Sequence, residues 1–264
     1  MSVAAVDKEM RVEDLPGLTH AESIDLGRRQ LDALIDELKA LTESDWDKPT
    51  DCERWTVRDI VAHVLGWAQA SPSPREMVRL RKASRAVRKE LPGSLDSQNE
   101  AMVLARRHMS PQRLIEELER AAEPFLTFRR RVGSAVGLLP LRVDTVGWTN
   151  ARFLLGPIFT RDHFMHRIDI SQATGRAMGL GAAERRVVQD IARHWGRSSQ
   201  ADALLRLSGP VGGNYVSGSG GRAIISGDGI DFCRILAGRA EPGVMEIEGD
   251  RPAAQTWLQA KVPF

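Results

Sequence analysis

Trp55-Thr56-Val57-Arg58-Asp59-Ile60-Val61-Ala62-His63-Val64-Leu65-Gly66-Trp67 carries a helix start, a broad apolar face and one histidine. Thr56 reads as an N-cap and Asp59 as the acid three places on, a pairing that satisfies free N–H groups of a first helical turn. Val57, Ile60, Val61, Val64, Leu65 and Ala68 then recur at helical spacing. His63 falls beside that face, not opposite it. A second stretch, Arg161-Asp162-His163-Phe164-Met165-His166-Arg167-Ile168-Asp169, also reads as helix and holds two more of the six histidines. Asp162 and His166 are four residues apart, so they sit one turn above the other and about 40° apart around the axis. His163 and His166, at about 60°, form the alternative ligand pair. If the two helices pack together, His63 meets them. Two imidazoles, a carboxylate and an open position suit a divalent metal.

Around these stretches the chain is mostly helical as far as Gly175. Thr19 and Glu22 form another capping box, opening a helix to about residue 41. Pro49 breaks the loop that follows, and Ser71-Pro72-Ser73-Pro74 stops the helix of His63. Residues 75–90 hold seven basic residues against two acidic ones, a local net of +5 that reads as a solvated helix face. A helix is expected over 97–108. Ser110 with Pro111 at N1 starts another, running to about residue 131 with a kink at Pro124. Leu138-Leu139-Pro140-Leu141 is expected to be a loop packed into the bundle. Gly156-Pro157 starts the helix of Asp162 and His166, and Gly175 ends it.

Beyond Gly175 the texture changes. A helix over 182–197 precedes strand-like pieces at 204–207, 223–226 and 244–247. The Gly-rich segments 211–214 and 217–221 read as turns. Neither precedes a helix, so neither is a phosphate loop. Helices are expected over 229–238 and 252–261. With residues 1–18 as a loose lead-in, the pattern predicts an α+β two-domain chain: a helical bundle over 1–178 and a small α+β domain over 179–264.

Composition narrows the function. The chain has 264 residues, enough for two modest cores. A net charge of +2 gives no global field for nucleic acid, and seven Phe, six Trp and one Tyr are too few for a stacking platform. Two cysteines, Cys52 and Cys233, exclude a disulfide scaffold or a Cys-rich zinc site; both read as packed thiols in a reducing, cytoplasmic protein. No apolar run approaches the roughly 18 residues of a membrane span, and residues 1–13 lack a signal peptide's apolar core. No membrane or nucleic-acid partner is expected. Monomer and homodimer both stay open.

Ser44-Asp45-Trp46, Pro49-Thr50, Cys52, Trp55-Thr56-Val57-Arg58-Asp59, Ala62-His63 and Gly66 together resemble the N-terminal signature of the mycothiol-dependent maleylpyruvate isomerase family. That family belongs to the DinB-like metal-binding four-helix bundles. Arg161-Asp162-His163-Phe164-Met165-His166 with Asp169 resembles its second motif, a carboxylate four residues before a ligand histidine. Phe232 to Arg239, with Glu248-Gly249-Asp250, resembles the sterol-carrier-protein-like domain that many members carry. The resemblance implies a divalent metal, usually zinc, held by His63, Asp162 and His166, and mycothiol as thiol cofactor. It implies a thiol transferase or isomerase acting on a small electrophile. The family's isomerase has Glu where this chain has Asp162, one methylene shorter. A non-catalytic metal- or small-ligand-binding protein of the same fold is the alternative. In the isomerase the C-terminal domain supplies an arginine near the active site; Arg234 and Arg239 are the candidates here.

Overall fold

The computed structural model describes residues 8–91, 93–143 and 147–264. The chain divides into two compact units: Thr19–Met178, and Gly179–Phe264 with the described residues up to Leu18. The first described element, β1 (Glu9–Arg11), belongs to the second unit.

Both capping boxes form. Thr19 opens α1 (His20–Lys39) and Thr56 opens α2 (Val57–Ala70), each hydroxyl accepting from the N–H three residues on while Glu22 and Asp59 reach back. Ser73 with Pro74 starts α3 (Pro74–Val87), the basic stretch, whose arginines and lysine lie in water. α4 follows (Ser94–Arg106). Ser110 with Pro111 starts α5 (Pro111–Ala135), which continues through Pro124. A single turn, α6 (Ala151–Phe153), and a π-helical stretch, Leu154–Ile158, lead into α7 (Phe159–Thr174). Gly175 ends α7 at φ 70°, the left-handed cap that glycine adopts without a Cβ penalty.

α1, α5, α2 and α7 form a four-helix ring, with α1 and α2 each packed against both α5 and α7. α3 and α4 pair with one another beside α2. Leu31, Leu34, Val57, Ile60, Val61, Leu65, Leu114, Leu118 and Phe125 fill the ring. Each buried aliphatic side chain there contributes about 1.5–3 kcal/mol. Arg167 of α7 reaches across to α1, donating to Glu37 at 2.7 and 3.0 Å and to Gln30. That buried charge-assisted contact fixes the rotation of α7 and so the direction in which Asp162 and His166 point.

The expected packed loop at 138–141 is instead exposed chain leading into a hairpin, β2 (Pro140–Val143) with β3 (Gly147–Asn150). Leu138 is 74% and Leu139 59% exposed, so hydrophobicity did not draw them inward. The backbone pairs across the hairpin instead.

The second unit is a five-stranded mixed sheet in the order β1-β5-β4-β6-β7, with β4 (Ala203–Ser208), β5 (Gly213–Ser217), β6 (Ala223–Asp228) and β7 (Glu246–Gly249). α8 (Ala182–Ser199), α9 (Gly229–Leu236) and α10 (Arg251–Leu258) complete it. Two expectations change. Residues 1–7 of the lead-in lie outside the described residues, but the rest is not loose: β1 pairs in parallel with β5, so residues 8–18 join the second unit rather than the bundle. The turn read at 211–214 is shorter, because Gly213 and Asn214 already belong to β5, whose side chains alternate in burial. No helix among the described residues is long and apolar enough to cross a membrane.

Candidate metal centre

α2 and α7 lie side by side in the ring and bring the three predicted donors together. His63 Nε2 is 3.8 Å from Asp162 Oδ1, and His166 Nε2 is 3.4 Å from the same oxygen. One ligand atom from each of His63, Asp162 and His166 falls within a common span of 4.8 Å. The two imidazoles are almost fully buried, whereas the Asp162 side chain keeps 22% of its exposure and opens the cluster to solvent. Bonds of about 2.0–2.2 Å from a tetrahedral cation to nitrogen and oxygen place neighbouring donors roughly 3.3–3.6 Å apart. The donor set and its spacing therefore fit a divalent ion with small side-chain adjustments.

The electrostatics point the same way. Burial pushes the Asp162 carboxyl up, but the charge of His166 and polar contacts with His166 and His63 outweigh it and hold the carboxyl well below its usual range. Burial pulls the His166 imidazole down, but Asp162 and the contacts with Asp169 and Cys52 hold it well above its usual value. Without a cation, a proton on His166 balances Asp162. A cation bound between them replaces that proton, as metal ligation by histidine requires.

His163, the alternative ligand, lies outside the donor cluster. It is buried, its ring centroid 6.0 Å from that of Phe125, and its Nδ1 has no hydrogen-bond partner among the described residues. Burial lowers its pKa to about 3, so it is neutral at ordinary pH. Asp59 serves the α2 cap and receives Arg107 at 3.0 and 3.2 Å, which is the helix-acid role.

Three groups have roles at the centre that their place in the sequence did not show, although two of them, Asp169 and Trp55, stand inside the motifs. Asp169, fully buried, accepts from His166 Nδ1 at 3.0 Å. A carboxylate can only accept, so this contact holds the Nδ1 proton, and it is the Nε2 proton, on Asp162's side, that a cation would replace. The His166-x2-Asp169 spacing is the signal that was there to read. Trp55 stacks obliquely on His63 at 4.9 Å and donates from Nε1 to Glu100 at 3.0 Å, which holds the ring in place. Arg129 of α5 is fully buried and donates to the carbonyls of Leu155 and Gly156, at 2.5 and 2.9 Å, and to Thr160 Oγ1 at 3.1 Å. It thereby braces the π-helical stretch just before the turns of α7 that carry Asp162 and His166. Burial lowers its pKa to about 9, against the pull of Asp162, so it remains a cation at neutral pH.

A family profile described as the mycothiol maleylpyruvate isomerase N-terminal domain matches residues 27–171. The chain belongs to that family. The match takes in both stretches that form the centre. Two solved structures are similar over 90% of this chain and 95% of theirs, each with a TM-score of 0.58. One is the mycothiol-dependent maleylpyruvate isomerase, at 17% identity, and the other is a histidine-to-alanine mutant of it, at 16%. At that identity they establish a shared fold, an α+β layout across both units. No curated protein matches the chain.

In this family member the two arginines suggested for substrate contact, Arg234 and Arg239, belong to the second unit. Arg234 donates to Asp231 at 3.1 Å and Arg239 to the carbonyl of Ala237 at 3.3 Å.

Proposed function

We infer that this protein is a divalent-metal-dependent, mycothiol-linked enzyme, an isomerase or thiol transferase acting on a small electrophile. The observation that carries the reading is the convergence of His63, Asp162 and His166 within 4.8 Å, inside the segment that defines family membership. Zinc is the ion that best suits two imidazoles, one carboxylate and an open position. A divalent cation held there makes a coordinated thiol a thiolate at neutral pH.

The chain's own residues have defined parts in that reading. His63 and His166 present Nε2, and Asp162 presents Oδ1. Asp169 keeps the proton of His166 on Nδ1. The apolar packing around the two imidazoles keeps bulk water away, which strengthens each electrostatic contact. Partly exposed Asp162 marks the side from which thiol and substrate enter. The nucleophilic sulfur would come from the cofactor, which would supply a thiolate for an electron-poor carbon of the substrate. Cys52 and Cys233 supply no nucleophile. Arg234 and Arg239 are the candidates for an anionic group on the substrate. The second unit is read as sterol-carrier-protein-like, and the protein as a cytoplasmic one.

The shorter side chain of Asp162 favours one rival, a metal-binding protein without turnover. Metal analysis of the purified protein, with mycothiol-dependent isomerisation of maleylpyruvate assayed on the zinc-loaded form, separates the two. The expected result is one zinc per chain, lost in His63→Ala and His166→Ala, together with thiol-dependent turnover. A wild type that holds no divalent metal defeats the metal reading, and full zinc without turnover of any thiol conjugate leaves the binder.

A further inference from the structure

His166 has ligand-type groups at both of its ring nitrogens. On the Nε2 side are Asp162 Oδ1, at 3.4 Å, and His63. On the Nδ1 side is Asp169 Oδ2, at 3.0 Å, with the sulfur of Cys52 3.5 Å from that same oxygen. The donor atoms of Cys52, His166 and Asp169 also lie within a common span of 4.8 Å. Bonds of about 2.0–2.3 Å to nitrogen, oxygen and sulfur put neighbouring donors of a tetrahedral cation roughly 3.3–3.7 Å apart. Separations of 3.0 and 3.5 Å on the Nδ1 side fit that spacing as well as 3.4 and 3.8 Å do on the Nε2 side. Asp169 and His166 are buried, while Cys52 is half-buried, so this side too has an edge toward solvent.

We propose that Cys52, Asp169 and His166 Nδ1 form a second metal position, one that takes thiophilic divalent cations. Sulfur distinguishes it from the nitrogen and oxygen set of His63, Asp162 and His166, and thiolate ligands favour softer ions. The two positions exclude one another. A neutral imidazole offers a lone pair at one nitrogen and keeps its proton on the other. With a cation at Nε2, the proton sits on Nδ1 and faces Asp169. With a cation at Nδ1, the proton sits on Nε2 and faces Asp162. Starting from the metal-free protein, in which both ring nitrogens of His166 carry a proton, binding at the second position releases the Cys52 thiol proton and the Nδ1 proton to solvent and leaves the Nε2 proton facing Asp162. The exclusion rests on the function proposed above; the second position does not. The competing account is that Cys52 does no more than donate a hydrogen bond to Asp169, in which case its sulfur never bonds a cation.

Titration of the metal-free protein with Cd2+, followed by thiolate-to-cadmium charge-transfer absorption in the ultraviolet, decides between them. The band is expected in wild type at one cation per chain. It persists in His63→Ala and in Cys233→Ser, and falls at least tenfold in Cys52→Ser. Zinc content of the same Cys52→Ser protein, retained at the wild-type level, shows that the variant is folded. A wild type without the band, or a band unchanged in Cys52→Ser, overturns the second position; two cadmium ions per chain overturn the exclusion. If the band behaves as expected while His63→Ala and Asp162→Ala leave zinc content untouched, the first site fails and the second stands.

Discussion

The Nδ1 of His166 lies 3.0 Å from Oδ2 of Asp169, a carboxylate with no exposure to solvent. That contact sets the tautomer and the ring plane of a residue that must aim its other nitrogen at Asp162. Removing such an orienting partner costs about 10–100-fold in metal affinity. Asp169→Ala is therefore expected to weaken zinc binding by that factor, measured by competition with a chromophoric chelator. Asp59→Ala is the control. It loses a cap contact and the Arg107 pair, and lowers stability by about 1 kcal/mol without changing zinc affinity. Equal affinity in wild type and Asp169→Ala would remove Asp169 from the centre.

His163 gives the protein an acid-sensitive element beside the centre. Its folded pKa is about 3, against an unfolded value near 6.5. Between those two values the unfolded chain binds a proton that the folded chain refuses. Stability therefore falls as pH drops below about 6.5, by up to about 1.4 kcal/mol per pH unit, and the loss levels off near the folded pKa. His163→Gln should flatten the unfolding free energy between pH 4 and 6 by about one proton's slope, read from urea melts at each pH. An unchanged slope would mean that His163 titrates normally in the folded protein.

Asp45 acts in a lower window. Its carboxylate receives Lys48 at 2.8 Å, the backbone and hydroxyl of Thr42 at 3.0 and 2.8 Å, and Arg176 at 2.8 Å, and so ties the turn before α2 to the chain after α7. The contact with Lys48, then those with Thr42, hold its carboxyl well below the usual range, and Arg176 adds to them. A lowered folded pKa means stability that is present above the unfolded value, about 3.9, and is lost as pH falls through the folded one. Asp45→Asn should lower stability at pH 7 and lose less on going from pH 4 to pH 2 than wild type does. The same melts carry this test, and a wild-type drop that Asp45→Asn fully reproduces would discount the cluster.

What could be read in the sequence was whatever rests on local spacing. Thr19 with Glu22, Thr56 with Asp59, and the Gly175 cap are patterns within one turn of helix, and all three form as read. Asp162 and His166 share a helix, so only their meeting with His63 needed the fold. β1 and the whole of β5 were hidden: three residues of β1 show no periodicity, and Gly213-Asn214 and Ser217 at the two ends of β5 carry turn chemistry although they pair with Leu207, Arg206 and Ala203 of β4. The Cys52–Asp169 contact spans 117 residues and leaves no spacing to detect. Nothing in the spacing marks Arg129, since an arginine is rarely buried; only the open carbonyls of a π-helical stretch give it partners inside the bundle.

Gly66, in the motif of His63, marks a place where α2 and α4 come too close for a side chain. A Cβ there would stand 2.6 Å from Met102 Cβ, 2.7 Å from its Cγ and 2.8 Å from its Sδ. Met102 can swing its sulfur away but not its Cβ, so the helices must separate. Overpacking of this kind costs about 1–3 kcal/mol, more than the gain of about 1 kcal/mol that alanine brings to a helix interior over glycine. Gly66→Ala should therefore destabilise the protein, and Met102→Ala should restore part of the loss in the double variant, because it removes the Cγ and Sδ contacts. Gly179→Ala, where nothing lies within 4 Å of the added carbon, serves as the open control and is expected to be neutral or slightly stabilising. The three variants and the double variant can be compared by urea unfolding at a single pH. Gly66→Ala as stable as wild type would show that α2 and α4 have room to spare at this point.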